Sequence, residues 1–140
     1  MTETREVRGG DRVSVEADMH HLFRDLSEKS NENPESAPFI LMKDVFIWAV
    51  ALGVQSGRRL LLEGKRTQIF RWDQLSQDLD VPVLKALAVS ETEDVELLVQ
   101  EEQILRIAEE YANAGIREIR DTLVDQPGQP LWNLVGRVRS

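Results

Sequence analysis

The sequence contains no cysteine and no long hydrophobic run. The absence of cysteine excludes disulfides, cysteine-ligated zinc, iron–sulfur clusters and a cysteine nucleophile. The longest apolar stretch, Val45–Val54, is interrupted by Gly53 and is far shorter than the ~20 residues that a membrane-spanning helix needs. The charged residues at the N-terminus lack the apolar core of a secretory signal. We therefore expect a cytoplasmic protein that has no membrane partner.

Few residues of the chain suit catalysis or metal binding. The two histidines, His20 and His21, are adjacent, and neighbours on a helix point about 100° apart, so they cannot chelate one ion together. The sequence has no Gly-x-Ser-x-Gly motif, no Walker loop and no dinucleotide-binding glycine pattern. We therefore predict a protein that is not an enzyme and that has no metal site and no other cofactor.

The charge of the chain is acidic overall but unevenly distributed. The net charge of −8 argues against nonspecific binding of duplex DNA by the whole surface. Residues 56–72, however, contain five cations and one acid, whereas residues 91–110 contain eight acids and one cation. One basic and one acidic segment suit oriented docking on a partner, and both also occur as ordinary solvated faces.

Helical periodicity predicts an all-α fold. It is found in residues 15–30, 39–54, 72–79, 81–91, 93–98 and 101–124. The stretch Phe39–Val54 is apolar on nearly all sides, which is typical of a buried central helix, either within its own fold or against a second copy. Gly115 lowers helix stability, so the sequence leaves open a break in the helix at 101–124 near Asn113–Gly115. We predict a compact multi-helix domain with at most one short β-hairpin.

Proline and glycine positions divide the chain into three parts. Residues 1–37 are predicted to be a flexible N-terminal arm (1–15), a helix and a proline-rich linker, residues 38–126 a helical core domain, and residues 127–140 a C-terminal tail. The tail contains a short apolar patch, Leu131–Val135, which either packs on the core or acts as a docking peptide. The chain length supports one domain with its own core.

The basic segment is the candidate binding site. Its residues are Arg58, Arg59, Lys65, Arg66, Arg71 and Trp72. The cations suit phosphate groups, and Trp72, with Phe70, suits base stacking, although both aromatic side chains also suit a core. The apolar runs at 60–62 and 68–70 are consistent with a hairpin around Glu63–Lys65 or with an irregular loop. The same cations also suit an acidic protein surface, for instance residues 91–110 of a second copy.

Two further patterns define alternative functions. Asp44 with Glu63-Gly64-Lys65 has the residue types of a metal-dependent nuclease, in which two acids hold the metal and a lysine lies beside the phosphate, although Asp44 lies in a predicted helix rather than on a strand. Residues 72–79 and 81–91 have the spacing of a helix-turn-helix, which would make the protein a transcriptional regulator, although Lys85 is the second helix's only cation.

Several short segments resemble one known family. They are Met42–Phe46, Ala51–Gly53, Gly57–Arg59, Leu62–Arg66, Ile69 with Arg71-Trp72, Leu87-Ala88, Ser90–Thr92, Glu109–Asn113 and Gly115-Ile116. Over roughly residues 38–120 the chain is similar to the dnd system-associated protein 4 family. The resemblance implies a setting in bacterial DNA phosphorothioation clusters and anti-phage defence, and it brings no catalytic residues with it.

The residues and the resemblance together give one leading interpretation. We predict an accessory or adaptor subunit of a phosphorothioation-linked restriction system that contacts DNA, a larger restriction subunit or both. The expected partners are other subunits of the system, DNA as one option for the basic segment, and a second copy in a homodimer. The regulator and the nuclease remain alternatives.

Overall fold

The computed structural model describes residues 12–27 and 33–139. The all-α prediction is confirmed, with one short antiparallel sheet besides the helices. The helices are α1 (His20–Asp25), α2 (Met42–Ser56), α3 (Asp80–Thr92), α4 (Glu101–Ile119) and α5 (Pro130–Arg139), and the strands are β1 (Arg12–Glu16) and β2 (Arg66–Arg71). Single 3-10 turns cover Ala17–Met19, Trp72–Gln74 and Val95–Val99.

The helix pair α2 and α4 forms the centre of the core. A Cβ atom on Gly115 would lie 1.7 Å from the carbonyl oxygen of Ala49, and a Cβ atom on Gly53 would lie 2.2 Å from that of Tyr111. Both glycines are therefore required by the close approach of the two backbones. α4 runs unbroken through Gly115, because the packing against α2 outweighs the helix propensity that glycine loses.

α2 is the buried central helix that its composition predicts. Its N-terminal turn is closed by Asp44, whose Oδ2 accepts the backbone N–H of Leu41 at 3.0 Å. Gly57 ends it in the left-handed conformation, with φ of 67°, and turns the chain into the basic segment. Since α4 of the same chain covers α2, the composition of α2 no longer argues for a second copy.

The sheet differs from both options that the sequence left open. β2 pairs with β1 rather than with residues 60–62, so residues 12–15, which we predicted to belong to a flexible arm, form a strand. Val13 and Val15 are buried in the core, and this short apolar alternation is the signal for β1. Residues 1–11, the rest of the predicted arm, lie outside the described residues.

The helix predicted at residues 72–79 is wrong. Residues 72–79 form one 3-10 turn, Trp72–Gln74, instead of a helix, and Ser76 then binds the first residues of α3 through its side chain. Asp94 caps the following short helix, Val95–Val99, by accepting the N–H of Glu96. The helix-turn-helix therefore lacks its first helix.

The C-terminal apolar patch packs on the core. α5 lies against the last turn of the α4 region, Arg120–Val124, which widens into a π-helix. Asn133 Nδ2 donates to the carbonyl oxygen of Leu123 at 2.9 Å, and the N–H of Leu131 donates to that of Glu35 at 2.8 Å. None of the helices in 12–27 and 33–139 is long and apolar enough to cross a membrane.

Candidate nucleic-acid interface

The first part of the basic segment, residues 57–65, is an irregular loop (the basic loop) that α4 holds in place. Asn113 is 4% exposed, and its Nδ2 lies 3.3 Å from the carbonyl oxygens of Leu60 and Leu61. The N–H of Leu60 donates to the carbonyl oxygen of Glu110 at 3.1 Å. The backbone of the loop is therefore fixed from below by α4, while its cations face solvent.

A buried carboxylate joins this loop to the sheet. Glu16 Oε2 accepts the N–H of Glu63 and the Nδ2 of Asn113, both at 2.9 Å, and Oε1 lies 2.7 Å from Nη2 of Arg117. Burial by itself raises the pKa of Glu16, but these donors and the charge of Arg117 outweigh it and hold the pKa below its usual value. Glu16 therefore stays ionised and ties β1, the loop and α4 together.

Neighbouring arginines of the loop lie in different surroundings. Arg58 lines a cleft of about 390 Å³ together with Arg117, Glu118 and Asp121. Arg59 lines another, of about 330 Å³, together with Asp94, and its Nε lies 3.2 Å from Glu110 Oε1. Arg58 is exposed and forms no ion pair with a described residue, whereas Arg59 is already paired within the chain.

The remaining cations lie on or next to β2. Lys65 and Arg66 are exposed and form no ion pair with another described residue, and Arg71 pairs with Asp73 at 3.2 Å. The strand register places Arg12 directly opposite Arg71. Arg12 is a further candidate residue that the sequence did not indicate, because it was assigned to the arm.

The two aromatic residues of the segment belong to the core. Trp72 is 2% exposed and Phe70 is 4% exposed. Phe70 packs edge-on against Phe46 of α2, with ring centroids 5.5 Å apart. Neither ring is accessible for stacking on a base, so Trp72 is removed from the candidate interface.

A second buried carboxylate lies between α4 and β1, near Arg66 of the basic segment. Glu109 is 9% exposed and its Oε2 accepts the N–H of Ser14 at 2.7 Å. Burial raises the pKa of Glu109 to about 7, and the charge of Glu110 adds to this, while Ser14, Arg66 and Arg106 offset only part of it. The bond from α4 to β1 is therefore made by a group that titrates near neutral pH.

The residues of the nuclease alternative have other contacts. Asp44 caps α2, and Glu63 binds Glu16 through its backbone N–H. Within the part of the chain that the structure describes, no group of three or more His, Asp and Glu side chains is placed to hold a metal ion.

The comparison with known families agrees with the resemblance. The model of the DNA sulphur modification system-associated protein 4 family matches residues 12–135. The chain belongs to this family. No curated protein and no solved structure shows a significant match. The family match begins at the first residue of β1, so the strand lies within the family region, outside the range of 38–120 that the resemblance covered.

The segments that carry the resemblance mostly build the fold. Gly53 and Gly115 allow the close approach of α2 and α4, and the stretch Glu109–Asn113 holds β1 and the loop. The family association gives the protein's setting, a DNA sulphur modification system.

Proposed function

We propose that the protein is a cytoplasmic, non-catalytic accessory component of a DNA phosphorothioation-linked restriction system. It contacts DNA through the exposed cations of its basic segment. The observation that carries this proposal is the exposure of Arg58, Lys65 and Arg66 without an acid within ion-pair distance among the described residues. Unpaired surface cations on a rigid backbone suit the phosphate groups of nucleic acid, which supply most of its nonspecific affinity. The family description supports the setting.

The cations of the basic segment are expected to contribute unequally to DNA binding. Arg58 and Lys65 are expected to contribute most, since both are exposed and neither forms an ion pair with a described residue, and Arg59 least, because Glu110 neutralises it. Charge reversal of Arg58 and Lys65 is therefore expected to abolish DNA binding while the helical signal in circular dichroism stays unchanged.

The experiment is an electrophoretic mobility shift with short duplex and single-stranded DNA, with and without phosphorothioate, over a salt series. Binding is expected to weaken steeply with salt, and the ratio of modified to unmodified DNA measures whether the mark is recognised. Arg139→Glu is the matched control, because Arg139 is exposed on α5 and its reversal changes the net charge by the same amount as each of the other substitutions. Absence of binding at low salt would contradict the proposal and would assign the basic surface to a larger subunit, to be sought among the system's other components.

Self-association is a further part of the proposal, and because it uses the same basic loop, the dimer and the DNA complex are expected to exclude each other. The turn Val95–Val99 exposes Val95, Leu98 and Val99 by 68%, 45% and 76% among acidic neighbours. An apolar patch inside an acidic segment is complementary to the basic loop of a second copy, where Leu60 and Leu61 are exposed beside the arginines. Sedimentation equilibrium is expected to show a dimer that Val99→Ser and Arg58→Glu each weaken. A monomer at every concentration would contradict it.

The alternative function, a transcriptional regulator, loses its structural basis. The missing helix at 72–79 removes the recognition geometry on which it was based. A mobility shift with the cluster's own promoter and with random duplex DNA distinguishes it, since a regulator must prefer the promoter.

A further inference from the structure

The two-stranded sheet has one polar, outward face with a particular composition. The register pairs Arg12 with Arg71 and Ser14 with Gln68. Paired residues of an antiparallel sheet point to the same side, so Arg12, Gln68 and Arg71 share one face, and all three are exposed. Arg66, which is also exposed, follows at the other end of the same face, where its cross-strand partner is the buried Glu16.

A β-bulge creates this face. The register shifts between Val13 and Ser14, so both Ile69 and Phe70 of β2 stand opposite Val13. Ile69 and Phe70 are buried at 7% and 4% exposure although they are consecutive. The bulge turns two adjacent apolar side chains into the core and brings Arg71 onto the same side as Gln68.

The pairing of Arg12 with Arg71 lowers the stability of the folded protein. Like charges directly opposite each other on neighbouring strands repel, and Arg12 has no ion pair with a described residue. Asp73 compensates Arg71 only in part, since both side chains of that pair are about half exposed. An external anion between the two guanidinium groups would relieve the repulsion.

The face is also rigidly positioned. Glu109 accepts the N–H of Ser14, and Glu16 at the end of β1 is bound by Arg117 and Asn113. The strand is therefore fixed to α4 through both carboxylates. A binding surface held in this way loses little conformational freedom when a ligand binds.

We propose that the β1–β2 ribbon is the element that enters a groove of duplex DNA, with Arg12 and Arg71 on phosphates and Gln68 at a base edge. This inference rests on the proposed DNA contact and assigns it to a structural element. The major groove admits a two-stranded ribbon, and glutamine pairs in bidentate fashion with adenine there. An acidic protein partner is the competing occupant, and the experiment separates the two.

The test is a fluorescence anisotropy titration of the full-length chain with a random-sequence duplex and a salt series. Arg12→Glu is the informative substitution, because it replaces a repulsive cross-strand pair with an attractive one. DNA affinity is expected to fall about tenfold and the slope of log affinity against log salt to fall by about one. The midpoint of urea unfolding is expected to stay the same or rise, which separates loss of binding from loss of fold.

Gln68→Ala and Arg139→Glu complete the experiment. Selection from a random duplex pool is expected to return a weaker base preference for Gln68→Ala at nearly unchanged overall affinity, since glutamine contributes selectivity rather than charge. Arg139→Glu is expected to behave as the wild type, because α5 packs on residues 120–124 rather than on the sheet.

Two results would overturn the inference in distinguishable ways. If the wild type binds DNA and Arg58→Glu abolishes binding while Arg12→Glu and Gln68→Ala do not change it, the ribbon assignment fails and the proposed function stands. If the wild type does not bind duplex DNA at low salt, both fail, and the ribbon becomes a docking surface for an acidic protein.

Discussion

The two faces of α4 are held to their neighbours by different physics. Towards α2 the contact is dry and close, and it depends on Gly53 and Gly115, at which a side chain has no space. Towards the sheet and the basic loop the contact is made by polar groups, chiefly Glu109 and Asn113. The first contact fixes the fold by shape, and the second positions a charged surface by hydrogen bonds. Substitutions on the two faces are therefore expected to differ in kind.

The largest effect is expected for Gly115→Ala on the α2 face. The new Cβ atom would lie 1.7 Å from the backbone oxygen of Ala49, so α2 and α4 must separate. We expect a loss of about 4 kcal/mol or more in the free energy of unfolding, or no folding at all. Urea unfolding followed by circular dichroism measures it.

Gly136→Ala on α5 is the control for this substitution. A Cβ atom at Gly136 would have no other atom within 4 Å, so alanine there is expected to stabilise the protein. A Gly115→Ala protein as stable as the wild type would show that the crossing of α2 and α4 is not close.

The second-largest loss of stability is expected for Asn113→Ala, on the face of α4 that contacts the sheet and the basic loop. It removes one of the three hydrogen-bond donors of Glu16 and the side-chain donor of the carbonyl oxygens of Leu60 and Leu61, which is expected to cost about 3 kcal/mol. Trypsin is then expected to cleave the loop at Arg58 faster than in the wild type. Asn133→Ala, which removes a single bond, is expected to cost about 1 kcal/mol. Equal losses for the two variants would refute the central role of Asn113.

Glu109→Gln tests the same face through pH. The pKa of Glu109 is raised by burial from 4.5 to about 7, so its protonated form favours the folded state, and this contribution is lost as the pH rises from 4.5 through 7. Glutamine keeps an acceptor for the N–H of Ser14 without the buried charge. We expect the variant to be more stable than the wild type at pH 8, by on the order of 2 kcal/mol, and nearly equal to it at pH 4.5. Urea unfolding at pH 8 and at pH 4.5 measures the difference in stability between the variant and the wild type. A difference that is the same at both pH values would contradict the buried charge of Glu109.

Arg59→Ala is expected to have the smallest effect. The pair with Glu110 is partly exposed, and the guanidinium lies 5.8 Å from the centre of the Tyr111 ring, so the loss is expected to be about 0.5–1 kcal/mol. Arg24→Ala breaks the exposed pair with Asp25 and is expected to cost nothing measurable. A loss above about 2 kcal/mol for Arg59→Ala would place Arg59 with the buried polar contacts instead.

The helices were predictable because their signals are local. The apolar stretch of α2 and the stripe of α4 each identify a buried helix, and the structure places both within a few residues of the predicted bounds. The helix predicted at 72–79 failed because Trp72 and Leu75 are apolar for a different reason, namely that a single 3-10 turn buries both.

The sheet and the full basic surface were not predictable in the same way. β2 carries a bulge, so Ile69 and Phe70 are buried in succession and the period of two that marks a strand is absent. Arg12 joins Arg71 only through pairing between distant parts of the chain. The exclusion of Trp72 from the interface likewise needed its burial, because tryptophan suits a core and a stacking surface equally well.

Composition and short-range periodicity were enough to establish the helical class and the segregation of charge, and short sequence segments carried the family resemblance, since each of these lies in neighbouring residues of the chain. The folded molecule was needed to establish which cations share a face, which are neutralised, and why two glycines stand in helices. Those properties depend on which backbones approach each other, and contacts between residues about a hundred positions apart, such as Glu16 with Arg117, leave no local pattern in the chain.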